Sequence, residues 1–179
     1  LLLSSSKVHF FGDRNKPAIL LIHGMGFYWE KCFGDMLPVL QSQYYCAVPE
    51  LAGHHNSLKN ESISIEEIAK NIVGVCKENG VSEFEMVYGC SFGASVAAEI
   101  AAEGIIPVRS MVLDGAEFVD LKWQKFISAF GMALQFKHIA KGKHMNAYVR
   151  GQLGYSGKDE ISVFQKLMCS KISFKVLFR

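Results

Sequence analysis

Between Ala18 and Asp114 the chain carries four short apolar runs, each closed within about two residues by glycine or aspartate and separated from the next by a segment of helical character. The first, Ala18 to Ile22, reads Ala-Ile-Leu-Leu-Ile with no polar alternation, as expected of a strand covered on both faces. Residues 44–51, 84–88 and 110–113 are similar in character. Between the second and third runs, Ser64 and Glu67 form a capping-box pattern, and Ile65, Ile68, Ala69, Ile72, Val73 and Cys76 recur at helical spacing up to Gly80. Residues 92–103 predict a second helix, stopped by Gly104. Residues 29–43 predict a weaker one, interrupted by Gly34 and Pro38. Strands alternating with helices imply right-handed crossovers, which build an α/β fold: a mostly parallel sheet with helices on both faces and ligand chemistry at the carboxyl ends of its strands.

The length of 179 residues suits one domain. Within it, residues 7–120 form the core of sheet and helices, and residues 121–179 a cap-like helical region rich in Phe, Met and Lys. Ile172 to Phe178 is apolar enough to begin or edge another strand. Half the residues are hydrophobic and 20% charged, a composition that folds. The net charge of +2 comes from scattered side chains. Lys137, Lys141, Lys143 and Arg150 make a mildly basic stretch without the motif context of a nucleic-acid module, so no nucleic-acid partner is expected. No apolar run reaches membrane-spanning length, and Leu1-Leu2-Leu3 is shorter than a signal peptide's apolar region. The five cysteines, 32, 46, 76, 90 and 169, form no C-x-x-C pair, so reduced buried thiols and a cytoplasmic setting are expected, with no metal site.

The chemistry concentrates where the third run enters its helix, at Gly89-Cys90-Ser91-Phe92-Gly93. A serine on a sharp strand-to-helix turn sits in a strained backbone conformation, and its neighbours two residues away on either side must lack side chains for the chain to turn so tightly. Gly89 and Gly93 meet that demand, and Ser91 is the expected nucleophile. The first run exits into His23-Gly24-Met25-Gly26, which brings backbone N–H groups to the same sheet edge. The N–H groups of Met25 and Phe92 are the expected donors of an oxyanion hole. His23 is expected to shape its loop.

These two motifs, with Pro49-Glu50-Leu51-Ala52-Gly53-His54-His55-Asn56-Ser57 after the second run, resemble the α/β-hydrolase superfamily over residues 7–120. The middle segment is similar to the family's D-x-x-G-H-G-x-S loop, with Glu50 for aspartate and His55 for the second glycine. His54 and His55 are expected to be solvated or to pack the loop.

The resemblance implies a chain order of serine, acid and histidine. Asp114, at the end of the fourth run, is the candidate acid, with Glu117 behind it, although the family more often places its acid one strand later. Only His138 and His144 follow Ser91, neither directly after a strand, so the resemblance implies that the catalytic histidine lies beyond Arg179 and that the chain is truncated. Trp123, Phe126, Phe130, Met132, Leu134, Phe136, Met145 and Tyr148 either line an acyl pocket or pack the cap. The expected function is a hydrolase that cleaves a carboxylic ester or similar small acyl substrate through a serine nucleophile, with no cofactor. The alternatives are a catalytically inactive fragment or binding module, and an acyltransferase using the same serine.

Overall fold

The computed structural model describes residues 7–54, 64–115, 124–141, 147, 158–169 and 172–178. Its sheet comprises β1 (Lys7–Phe11), β2 (Ala18–Ile22), β3 (Tyr45–Glu50), β4 (Phe84–Cys90) and β5 (Val108–Asp114). The strand order is β1-β3-β2-β4-β5. β2, β3, β4 and β5 run parallel, while β1 lies antiparallel to β3, with Lys7 opposite Glu50 and Phe11 opposite Cys46.

The continuous apolar character of β2 has the expected cause. Leu20 and Ile22 point into one cluster with Ala47, Val87 and the apolar faces of helices α3 (Ile65–Glu78) and α4 (Phe92–Glu103). Ile19 and Leu21 point the other way, into a cluster with Cys46, Val48, Trp29, Phe33 and Leu37. Successive strand residues face opposite sides of a sheet, so a strand with helices on both sides must be apolar at every position.

The capping box is formed in full: the Glu67 N–H donates to Ser64 Oγ at 3.1 Å, and the Ser64 N–H donates to the Glu67 carboxylate at 2.8 Å. Ser64→Ala is expected to lower stability by about 1 kcal/mol, read as a shift of the urea midpoint with an unchanged slope. Residues 29–43 split into α1 (Trp29–Phe33) and α2 (Leu37–Leu40), with Gly34 capping the first and Pro38 in the first turn of the second. Proline is tolerated there because its missing N–H has no partner in a first turn.

Four elements differ from expectation. β1 was not foreseen: its sequence, Lys-Val-His-Phe-Phe, carries no sharp pattern, and it is a strand because β3 offers it a partner along its whole length. β4 and β5 are also longer than their apolar runs, since pairing of Cys90 with Asp114 carries both strands to the sheet edge. Residues 172–178, expected to begin a strand, instead form the short helix α7 (Phe174–Leu177). Ser173 caps it by accepting the Val176 N–H at 3.3 Å, and Val176 and Leu177 are buried. Before it come α5 (Gln124–Ala140) and α6 (Lys158–Leu167). Residues 167–169 reach back to the loop after β2, where the Tyr28 N–H donates to the Leu167 carbonyl at 2.9 Å.

All five cysteines are free thiols; Cys46, Cys76 and Cys169 are buried, and Cys32 and Cys90 partly so. Among the described residues no helix is long and apolar enough to cross a membrane, and no cluster of three metal-ligating side chains occurs.

Candidate active site

Ser91 is the hinge between β4 and α4, and it is exposed at the sheet edge. Its backbone has φ 51° and ψ −118°, and it is the one residue other than glycine with positive φ among those described. A side chain in this region of φ/ψ space meets its own backbone, which costs on the order of 1–3 kcal/mol unless the surroundings enforce it. One tertiary bond, one local bond and two glycines do so. The Ser91 N–H donates to the Asp114 carbonyl at 2.7 Å, and the Ser91 carbonyl accepts the Ala94 N–H at 2.8 Å to open α4.

A Cβ on Gly89 would lie 2.3 Å from the Gly93 carbonyl oxygen, and one on Gly93 would lie 2.4 Å from the Ile22 carbonyl oxygen. Every close neighbour at these positions is backbone or Ala94 Cα, so neither site can yield by a rotamer change. The start of α4 is thus pressed directly against the end of β2, and the loop that leaves β2 lies beside Ser91.

That loop turns through Gly24, Met25 and Gly26, with φ +82° at Gly26. Among the described residues, neither the Met25 N–H nor the Phe92 N–H donates to a protein acceptor. His23, expected to shape the loop, is fully buried. Its Nδ1–H donates to the Gly24 carbonyl at 2.9 Å, and its Nε2 accepts the Leu51 N–H at 3.2 Å. Burial pushes its pKa down to about 4, against smaller upward contributions from the Gly24 bond and the Glu50 charge, so the ring is neutral near neutral pH. His54 packs its loop in the same manner, fully buried, with Nε2 accepting the Gly26 N–H at 2.7 Å. Glu50, standing where the resembling loop carries aspartate, is 1% exposed and lies 3.5 Å from His9 Nε2.

Asp114 ends β5 beside Ser91. Its carboxylate accepts the Tyr88 hydroxyl at 2.8 Å, a pairing that the sequence did not reveal because the two residues lie 26 positions apart. Burial first, and then this bond, raise the Tyr88 pKa above its ordinary value. Burial and the Asp114 charge likewise raise that of Cys90, so this thiol next to Ser91 is held protonated. Among the described residues no histidine is hydrogen-bonded to Ser91 or to Asp114, and His138 is exposed on α5. Glu117, His144, His55, Trp123, Met145, Tyr148, Lys143 and Arg150 lie outside the described residues.

In the cap, Phe130 stacks edge-on against Phe174 and Phe178, and Phe136 packs on Phe164, so these rings hold α5 to α6 and α7. Phe126, Met132 and Leu134 are exposed. Met25 packs partly buried against Ala133, Ile172 and Val176, which makes the neighbourhood of the loop apolar.

Comparison with known proteins agrees with this architecture. A pyrrolizixenacetamide deacetylase from Xenorhabdus hominickii is 30% identical over 115 residues. The match covers 64% of this chain and 43% of that protein, so the chain spans less than half the length of this curated relative. The crystal structure of an α/β-hydrolase family protein from Desulfitobacterium hafniense superposes with a TM-score of 0.89 at 33% identity, covering 96% of this chain and 69% of the other. A carboxylesterase from Nitrososphaera gargenis superposes at 0.74 and 16% identity, over 96% of this chain and 65% of its own, a likeness of fold alone. The family model described as the alpha/beta hydrolase fold matches residues 17–143, from the start of β2 past the end of α5. With that match over most of its length, the chain belongs to the α/β-hydrolase fold family.

Proposed function

We propose that this protein is a serine hydrolase that cleaves a carboxylic ester or a similar small acyl substrate through an acyl-serine intermediate. The observation that carries the reading is the backbone of Ser91: a non-glycine residue held at positive φ, exposed, between two glycines whose missing side chains permit the bend. Folds keep such strain where a side chain must be presented, and here it is a hydroxyl.

In this reading Ser91 Oγ attacks the acyl carbon, and the N–H groups of Met25 and Phe92 receive the negative charge that develops on the carbonyl oxygen. Donors fixed in advance need no reorganisation as that charge forms. Asp114 is the acid of this reading: Tyr88 donates to one of its carboxylate oxygens, and the residue is exposed, so an imidazole N–H can reach the other. A serine hydroxyl needs a base within hydrogen-bond reach. His9 lies on β1 against Trp29 and Glu50, His23 and His54 use their ring nitrogens on backbone groups, and His138 faces solvent, so the base of this reading is a histidine outside the described residues. The relative's deacetylase activity, removal of a small acyl group, supports this class of substrate.

The test is intact-mass spectrometry of the protein at its full coding length after treatment with a fluorophosphonate. One adduct, mapped to Ser91 and lost in Ser91→Ala, is expected. An unmodified Ser91 would overturn the reading in favour of a noncatalytic binding module on the same fold.

A further inference from the structure

Gly26 is gripped from three directions. Its N–H donates to His54 Nε2 at 2.7 Å, and its carbonyl accepts the Cys169 N–H at 2.6 Å. On its third side, Met168 Cε lies 3.1 Å from where a Cβ would stand. Three segments therefore meet on one residue: the loop after β2, the loop after β3, and the chain that follows α6.

The bond to His54 has a reciprocal. The loop after β3 supplies the imidazole that takes the Gly26 N–H, and the loop after β2 supplies His23, whose Nε2 takes the Leu51 N–H at 3.2 Å. Each spans 28 residues, and the two rings meet edge to face with centroids 5.1 Å apart. The Nδ1–H of His54 donates to the Ala52 carbonyl at 3.2 Å, which leaves its Nε2 lone pair for Gly26 and makes the ring the neutral Nδ1–H tautomer.

We infer that His54 is a positioning residue for the oxyanion donor. By holding the Gly26 N–H it fixes the Met25–Gly26 peptide plane, and so limits how far the adjoining Gly24–Met25 peptide, which carries the Met25 N–H, can turn. It also withdraws the Gly26 N–H from competition, leaving Met25 as the open donor of that turn. The inference rests on the proposed hydrolase reading, in which Met25 donates to the acyl oxygen. Donors act only when aimed at the place where the oxyanion forms, and a misplacement of about 1 Å costs on the order of 10²-fold in rate.

Two variants and one spectroscopic measurement test it. His54→Phe keeps a ring of similar size without an acceptor, and His54→Gln offers an amide oxygen to the same N–H. With p-nitrophenyl acetate and the protein at full coding length, His54→Phe is expected to lower kcat on the order of 10²-fold with KM little changed, and His54→Gln to recover most of that loss. Independently, ¹⁵N imidazole spectra should show His54 as the Nδ1–H tautomer with a scalar coupling from the Gly26 amide to its Nε2.

An unchanged kcat in His54→Phe, a His54→Gln as slow as His54→Phe, or a His54 found as the Nε2–H tautomer would each overturn the inference. If His54→Phe does not fold, the tautomer and the Gln variant still decide it. Normal fluorophosphonate labelling of Ser91 beside a full-rate His54→Phe defeats the positioning role alone. Absence of labelling in the unsubstituted protein defeats the hydrolase reading, and the positioning role falls with it.

Discussion

Gly93→Ala should cost the fold about 3 kcal/mol, while the same substitution at Gly74 should stabilise it by about 0.5–1 kcal/mol. At Gly93 the added Cβ would stand 2.4 Å from the Ile22 carbonyl oxygen and 2.6 Å from that of His23, both backbone atoms at the end of a fully buried strand. Relief requires α4 to withdraw from β2, which breaks the packing of Val96, Ala97 and Ile100 against the core. At Gly74, inside α3, a Cβ meets nothing within 4 Å, and alanine simply removes the entropy cost of a helical glycine. Urea titrations of the two variants beside the unsubstituted chain give both signs. A Gly93→Ala midpoint within error of the parent would show that the turn at Ser91 is not under steric compulsion, and the case for a presented hydroxyl would go with it.

Acid should weaken the fold through His23. Its folded pKa of about 4 lies below the ordinary histidine value of 6.5 because the ring is buried, so the folded state resists the proton that the unfolded chain accepts. The stability contributed by the neutral buried ring is therefore complete above about pH 6.5, falls as pH drops towards about 4, and changes little below that. The full difference is about 3 kcal/mol at 1.36 kcal/mol per pKa unit. The Leu51 N–H uses the lone pair that a proton would take, so protonation also unties the loop after β3 from the loop after β2. His23→Gln keeps an oxygen for that N–H and cannot titrate. Its stability between pH 7 and pH 4 should fall by about 3 kcal/mol less than that of the parent. Parallel pH profiles for the two proteins would show that the loop does not depend on a neutral ring at position 23.

Much of this was legible in the sequence because it follows from short-range geometry. The apolar run at β2, the capping box at Ser64 and Glu67, the glycine stop at Gly104 and the elbow around Ser91 each span a few residues, and each is imposed by sterics or hydrogen bonding within that span. The features that escaped are pairings across long stretches of chain. Tyr88 meets Asp114 across the β4–β5 pairing, and β1 is a strand through β3. The apolar 172–178 segment, expected to begin or edge a strand, is a helix because Ser173 caps it and Val176 and Leu177 are buried.

From its residues alone, this protein determined that Ser91 would stand on a tight bend, because Gly89 and Gly93 are the residues that let backbone approach backbone there. Only the tertiary structure decided what that bend faces: the loop after β2, with the Gly26 N–H bound to an imidazole 28 residues away and the Gly26 carbonyl to the Cys169 N–H beyond α6. Local patterns record which conformations a segment tolerates, whereas a hydrogen bond between distant loops depends on where the whole sheet brings their ends together.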